Sequence, residues 1–191
     1  MNNKIREIID EIEEMKIKLA QEIDKHENHI SYEIKNGYVT VETEVLAKQR
    51  ENMKNILSWF REVPLLYLLT SPIIYAMLIP AIFLDIILFI YQQVIFRIYK
   101  FDLIKRGDYM HFDHHYLGYL NPIEKLNCLY CSYFNGLMLY ASAIAGRTEL
   151  YFCPIKHAKK IVSQHKYYEE FLSYGDEEDY QNKLKELRNN I

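Results

Sequence analysis

The chain has 191 residues, with 23 basic and 26 acidic side chains and a formal net charge of −3. This length suits one membrane segment and one modest polar domain. The small negative charge argues against nucleic-acid binding, for which we would expect a strongly basic face. Three cysteines do not pair completely within one chain, so no disulfide framework is expected. The first residues are charged throughout, so no cleavable signal peptide is expected either.

The N-terminal part has the patterns of polar secondary structure. Residues 3–27 predict an amphipathic helix, because apolar residues recur at three- and four-residue steps: Ile5, Ile8, Ile12, Met15, Leu19 and Ile23. This stripe indicates packing against a second polar helix or, since it also fits heptads, a coiled-coil arm. Alternating segments around Asn36-Gly37 predict a small β-hairpin. Residues 43–62 again have a helical pattern, and Trp59 near its end suits the lipid headgroup region.

Residues 63–96 are the most apolar part of the chain, and Asp85 is their one ionisable residue. A helix that spans a bilayer core needs about 20 apolar residues, so this run predicts a membrane protein. As one straight helix the run would be about 51 Å long, against a hydrocarbon core of about 30 Å. We therefore expect the run to bend, tilt or re-enter.

Prolines and flanking charges favour one arrangement of this run. A turn between Pro72 and Pro80 would make a shallow re-entrant hairpin with both ends on one side. Basic flanks stay cytoplasmic and favour that hairpin: Lys48, Arg50, Lys54 and Arg61 precede the run, and Arg97, Lys100, Lys105 and Arg106 follow it. A single spanning helix from Ile73 to Ile95 and a buried soluble core are also consistent with the composition of the run. Asp85 then makes a contact within a bundle or caps a helix, or it acts as a functional acid.

The C-terminal part is polar again and predicts further helices. Asn121, Pro122 and Glu124 make a strong helix start, with a cap, a first-turn proline and a capping-box acid. This helix continues through the cysteines toward residue 152, with an expected interruption at Asn135-Gly136. Cys153-Pro154 predicts the start of another short helix, and residues 176–188 predict one more.

Cys128, Cys131, Cys153 and His157 are the candidate metal ligands. The first two form a C-x-x-C on one helix face, and the other two lie one turn apart in the next predicted helix. A Cys3His set is a normal zinc complement, and thiols in a reducing compartment suit a metal. The four residues meet only if the helix breaks at Asn135-Gly136 or Ala145-Gly146, because an unbroken helix separates Cys131 from Cys153 by about 33 Å. Structural cysteines in a helical core and a redox C-x-x-C are the alternatives.

A second group of polar residues lies in the loop HFDHH, which contains His111, Asp113, His114 and His115. These residues predict a solvated loop near the membrane surface or additional metal ligands, joined by Glu124 or Glu149. The Glu-x-x-His spacing that is typical of helical di-iron sites does not occur. No HExxH, phosphate-binding glycine loop or Gly-x-Ser-x-Gly occurs either.

Three segments resemble a family of small bacterial membrane-associated proteins. They lie between Leu69 and Ala158 and read LTSPIIYAMLIPAIFLDIILFIYQ, FDHHYLGYLNPIEKLNCLYCSYFNGL and RTELYFCPIKHA, with the motifs LNCxYCxYxNG and YxCPIKHA. The resemblance covers about half of the chain. It implies a bacterial origin and membrane association, but it implies no activity and transfers no catalytic residue.

These patterns predict a mainly α, membrane-associated helical protein with a hydrophobic helix or helical hairpin and a small β-hairpin. The expected domains are 1–62 with polar helices and the β-hairpin, 63–98 as the membrane segment, and 99–191 as a helical Cys/His domain. The favoured function is a non-enzymatic, membrane-anchored accessory or interaction protein with a structural Cys/His cluster, for which zinc is the candidate cofactor. The alternatives are a metal- or thiol-dependent membrane enzyme that acts on a lipid-soluble substrate, and a metal-handling protein.

The sequence also predicts where the protein is and what it binds. The expected location is a bacterial inner membrane, with both polar domains in the cytoplasm. The expected partners are the lipid bilayer and a protein partner or second copy that docks through the N-terminal helix. No nucleic-acid partner is expected.

Overall fold

The computed structural model describes residues 3–27, 32–35, 38–41, 43–159, 161, 164–177 and 180–189. Most of this part of the chain is helical. Its contacts divide the protein into two compact units, Met1–Met53 with Tyr116–Tyr119, and Lys54–His115 with Leu120–Ile191. The long apolar run and the cysteine-containing helix belong to the same unit.

The described residues of the first unit form two α-helices and two short strands. Helix α1 spans Asn3–Glu27 and α2 spans Thr43–Glu51. Strands β1 (Tyr32–Lys35) and β2 (Tyr38–Val41) pair antiparallel. The predicted turn residues Asn36-Gly37 lie outside the described residues. The stripe of α1 is open to solvent, with exposed fractions between 41% and 61% for Ile8, Ile12, Met15, Leu19 and Ile23.

The single helix predicted over residues 43–62 is wrong, because the chain forms α2 and a separate helix α3, Ile56–Glu62. Asn55 begins α3, and its side chain accepts a hydrogen bond from the Leu57 N–H at 3.2 Å. Such a cap competes with continued helix at this position. Lys54 donates to Glu62 at 2.7 Å, and this hydrogen bond and the charge of Glu62 raise the pKa of Lys54.

The apolar run forms one continuous helical segment, Leu65–Tyr99, which we call the apolar helix. It consists of α4 (Leu65–Ala76), α5 (Leu78–Tyr91), a π-helical turn (Gln92–Phe96) and α6 (Arg97–Tyr99). The re-entrant turn expected between Pro72 and Pro80 does not occur. Met77, which joins α4 to α5, has right-handed helical angles of φ −63° and ψ −16°.

A side chain explains why Pro72 does not break the helix. Proline lacks an N–H, so the carbonyl four residues earlier loses its helical partner. That carbonyl belongs to Leu68, and the Ser71 hydroxyl donates to it at 2.8 Å. The serine that suggested a break in the sequence therefore replaces the missing hydrogen bond and keeps the helix continuous.

Helix α7, Pro122–Phe152, is the second long helix. It begins with the predicted capping box, in which the Asn121 side chain accepts from the Ile123 and Glu124 N–H groups at 3.0 Å. The break expected at Asn135-Gly136 does not occur. A Cβ atom on Gly136 would lie 2.7 Å from the carbonyl oxygen of Tyr109. This glycine therefore permits a close approach by another segment rather than a helix break.

The short helix predicted to begin at Cys153-Pro154 is wrong. Ile155 instead forms a parallel bridge with Leu172, and the Lys156 N–H donates to the Leu172 carbonyl at 2.7 Å. The Lys156 N–H and the Pro154 carbonyl are therefore paired with a later segment and not within a helix.

The rest of the tail covers the C-terminal half of α7. A 3-10 turn (Tyr168–Glu170) and helix α8 (Tyr180–Asn189) contribute to a buried cluster of Leu150, Tyr168, Phe171 and Leu187. His165 lies so close to Gly146 of α7 that an added Cβ would be 2.4 Å from its ring.

Candidate functional site

The apolar helix and α7 lie side by side and run in the same direction. Hydrogen bonds join the early part of one helix to the early part of the other and the late part to the late part: Tyr75 to Asn127, Asp85 to Tyr133, and both Gln92 and Tyr91 to the later residues Tyr140 and Thr148. A parallel pair requires the intervening chain to travel back along the full length of the helices. The path of this returning segment determines which sides of the two helices are covered by protein.

Residues 100–115, which we call the strap, make this return. The strap contacts the helix pair in descending order: Phe101 packs on Phe96 and Tyr151, Ile104 bonds to Gln92, Arg106 pairs with Asp85, and Phe112 lies with Leu78 and Leu126. Apart from Leu103, its outward side chains are polar and exposed: Asp102, Lys105, Asp108, His111 and Asp113. The strap therefore places a charged segment, which contains short 3-10 turns but no α-helix, along the apolar helix.

Asp85 ties the strap to both helices. It is 9% exposed, and its Oδ2 atom accepts hydrogen bonds from Arg106 Nη2 at 2.8 Å and from the Tyr133 hydroxyl at 3.0 Å. Within the described residues, its Oδ1 atom is buried and has no hydrogen-bond partner. The Arg106 side chain remains 44% exposed, so the ion pair lies at the edge of the core. Asp85 thus makes a contact inside the bundle, which is one of the roles that its position predicts.

Gln92 makes a second attachment two helical turns later on the same face. Its side chain is buried, and its Oε1 atom accepts from the Ile104 N–H at 3.1 Å. Its Nε2 atom donates to the Ile104 carbonyl and to the Tyr140 hydroxyl, both at 3.2 Å. Both backbone groups of Ile104 are therefore satisfied inside the protein, as a buried backbone requires.

A cleft of about 650 Å³ opens beside this cluster, and we call it the tyrosine cleft. Its walls are Tyr75, Leu78 and Ile82 of the apolar helix, Phe112 of the strap, and Leu126, Leu129, Tyr130 and Tyr133 of α7. Each tyrosine hydroxyl is engaged inside the protein: Tyr75 donates to Asn127, Tyr130 to the Ile74 carbonyl, and Tyr133 to Asp85. The cleft therefore presents rings and aliphatic side chains.

The four predicted metal ligands do not come together. Cys128 is half-buried and Cys131 is exposed on α7, while Cys153 and His157 are both exposed in the segment after it. Because α7 is unbroken from residue 122 to 152, Cys131 and Cys153 lie about 33 Å apart. Ligands of one zinc ion lie within about 2.3 Å of it. This separation excludes a four-ligand site within one chain, and the residues do not fit the ion.

The histidine loop also shows no metal geometry. His111, Asp113, His114 and His115 are exposed, and His114 Nδ1 lies 3.4 Å from Asp113 Oδ1. In the part of the chain that the structure describes, no group of three or more His, Cys, Asp or Glu side chains is arranged to hold a metal ion. The loop is therefore a solvated turn, which is one of the two structures that its sequence predicts.

Sequence reasoning missed the residues that surround Asp85. Arg106 counts in the sequence only as one of several flanking basic residues, and Tyr133 is one of 17 tyrosines. The single available signal is Asp85 itself, because a carboxylate in an apolar run needs a partner. Which residue supplies that partner depends on the return path of the strap.

Comparison with known proteins does not assign the chain to a family. No protein-family model, no curated protein and no solved structure matches it. The resemblance to small bacterial membrane-associated proteins remains a prediction, and the function has to be argued from the parallel helices, the strap and the cleft.

Proposed function

We propose that this protein is a membrane-associated accessory or interaction protein that lies on one face of a bilayer. Five side chains of α5 make up what we call the open face: Ile79, Phe83, Ile86, Ile87 and Ile90, with exposed fractions between 45% and 74%. This face carries no charge. In the most apolar 18-residue stretch of the apolar helix, only 11% is buried by protein. This low burial is the observation that carries the proposal. Large exposed apolar patches are typical of membrane or protein contacts.

The strap favours immersion of one face over a helix that crosses the bilayer. If the apolar helix crossed, Arg106, Asp108 and the irregular backbone on either side of their 3-10 turn would lie near the depth of Asp85. Irregular backbone exposed to lipid does not occur in the hydrocarbon core. Each charged side chain at mid-depth costs about 2.5–3.5 kcal/mol by insertion measurements. With the open face in one leaflet and the strap in water, neither cost arises.

Helix α7 supports the same arrangement. It is long and apolar enough to cross a membrane, but residues of its C-terminal half pack under the tail. Leu150 and Ile144 are each almost fully buried by protein. In this proposal α7 is the layer behind the apolar helix, between the lipid-facing side and the polar tail.

The cellular location that we propose is based on the sequence. Basic residues lie on both sides of the apolar helix, which favours a cytoplasmic position for both polar parts at a bacterial inner membrane. Immersion of one face keeps both ends of the apolar helix on one side of the bilayer, in agreement with those flanks. The exposed stripe of α1 supports docking of a protein partner or of a second copy of the chain.

No observation favours an enzymatic or metal-handling function. The enzyme predicted from the sequence would use Cys128, Cys131, Cys153 and His157 together, and the unbroken α7 separates the first two from the last two. Metal handling would pass an ion between thiolates and Asp85, and the contacts of Asp85 are to Arg106 and Tyr133. The cysteines are accordingly assigned no chemistry, and the accessory role does not depend on zinc.

The proposal is tested by depth labelling. In a chain whose native cysteines are changed to serine, Ile86→Cys and Asp108→Cys each receive an environment-sensitive fluorophore. On vesicles, we expect a blue-shifted, lipid-quenched signal at position 86 and a water-like signal at position 108. Equal lipid quenching at both positions, or failure of the protein to float together with vesicles, would contradict one-face immersion. Reporters at the two termini on opposite sides of the membrane would contradict it as well.

A further inference from the structure

We propose that the tyrosine cleft takes one hydrocarbon chain of a membrane lipid. This inference rests on the proposed function, because lipid chains reach the cleft only if the open face lies in a leaflet. The cleft joins Ile82 of the apolar helix to Leu126 and Leu129 of α7, and these three side chains have exposed fractions of 50%, 53% and 49%. Its volume of about 650 Å³ is in the range of sites for small ligands.

The chemistry of the walls selects hydrocarbon. Ligand sites for polar molecules present a few free polar groups that fix orientation. Here the three hydroxyls that line the cleft already donate to Asn127, to the Ile74 carbonyl and to Asp85. A polar ligand would lose its hydrogen bonds to water without replacement, which costs free energy. An acyl or isoprenoid chain has no such bonds to lose.

The position of the cleft explains why a chain would enter. In one-face immersion, the wall made by α7 lies behind the leaflet, where an empty cleft would hold water against leucine and aromatic side chains. A hydrocarbon chain in the cleft removes this water from the apolar walls, and the removal of apolar surface from water is favourable. The chain would leave the leaflet along Ile82 and pass under Phe112, so the strap forms one edge of the site.

The test uses phosphatidylcholine with a photoactivatable group on its acyl chain, in vesicles that carry the full-length protein. We expect cross-links on the open face, at Ile86 and Ile90, and also inside the cleft, at Leu126 and Leu129. Leu129→Trp fills the cleft, so cross-links at Leu126 should fall about tenfold while those on the open face persist. Leu139→Trp places the same residue at an exposed position of α7 outside the cleft and should leave both sets unchanged.

The possible outcomes separate the two proposals. Cross-links on the open face but not in the cleft of the native chain would overturn the inference and leave the membrane role intact. The absence of both sets would overturn the membrane role itself. If cleft cross-links appear only after Ile12→Glu and Leu19→Glu in α1, the N-terminal helix fills the cleft in the native protein, and the lipid-chain proposal is wrong. Equal cross-linking of Leu126 in the Leu129→Trp and native chains would also overturn it.

Discussion

The apolar helix and α7 are both long and apolar enough to cross a membrane, but the rest of the protein covers them to different extents. In the most apolar 18-residue stretch of each helix, 11% of the apolar helix is buried, against 28% of α7. The buried residues of α7 lie toward its C-terminal half, where Leu137, Tyr140 and Ile144 pack on the apolar helix and the strap and Leu150 packs under the tail. The apolar helix buries a narrow face around Asp85 and Gln92 and leaves the open face uncovered. Hydropathy thus identifies helices that avoid water, but it does not tell which of them meets lipid and which meets protein.

The largest expected effect tests the open face. Phe83→Glu with Ile90→Glu should weaken vesicle binding roughly thousandfold, because each change removes about 2 kcal/mol of apolar burial. Flotation with phospholipid vesicles measures this. Ser142→Glu adds charge at an exposed position of α7 and should leave binding unchanged. Equal losses in the two variants would mean that α7 also meets the lipid, and the contrast between the helices would disappear.

The next effect concerns the buried face of the same helix. Asp85→Ala should lower the free energy of unfolding by about 2–3 kcal/mol, because Arg106 and the Tyr133 hydroxyl lose their shared acceptor. The expected loss in the free energy of unfolding is no larger than this because solvent still reaches Arg106, whose side chain is 44% exposed. Denaturant unfolding in detergent micelles measures it. The neighbouring change Ile86→Ala, on the open face, should remain within about 0.5 kcal/mol; a larger loss there than at Asp85 would show that the open face is covered by protein.

A smaller effect is expected where the tail covers α7. Gly146→Ala would place a Cβ atom 2.4 Å from the His165 ring, so the tail must shift. Overpacking of this kind costs about 1–3 kcal/mol, and we expect about 2 kcal/mol in thermal or denaturant unfolding. Gly107→Ala in the strap meets nothing within 4 Å and serves as the control. An unchanged stability of the Gly146 variant would indicate that the tail does not pack on α7.

The smallest effect concerns the cysteines. Cys131→Ser and Cys153→Ser should each change stability by less than about 0.5 kcal/mol, and the two changes should add, because both side chains are exposed and far apart. Unfolding of the single and double variants, together with elemental analysis, measures this. One zinc ion per chain that is lost in either variant would contradict the separation of the ligands.

Several local features of the fold follow from the sequence. The capping box at Asn121 and Glu124 predicts the start of α7, and the structure confirms it. Some local predictions fail for identifiable reasons. Ser71-Pro72 suggests a break, but the serine hydroxyl supplies the hydrogen bond that the proline lacks. Gly136 suggests a break as well, but it admits the strap. A Ser-Pro pair or a glycine can either end a helix or lie within a continuous one. Only the contacts that these residues make in the folded protein show which of the two occurs.

The candidate site was mostly beyond prediction. Asp85 stands out because it interrupts an apolar run, but Arg106 and Tyr133 lie 21 and 48 positions away in the sequence. The cysteine spacing suggests a metal centre because C-x-x-C and C-x-x-x-H are short-range patterns. Whether two such pairs meet depends on the helix between them, and its continuity removed the site.

By itself, the sequence determined that the chain is mainly helical, that residues 63–96 form one long apolar run and that α7 begins after the Asn121 cap, because periodicity, apolar content and caps act over a few neighbouring residues. Only the tertiary structure decided that the two long helices run parallel, that the charged strap returns along them and that the tyrosine cleft opens between them. These features depend on contacts between segments that are distant along the chain, and the free energy of such contacts depends on the path of the backbone as much as on composition.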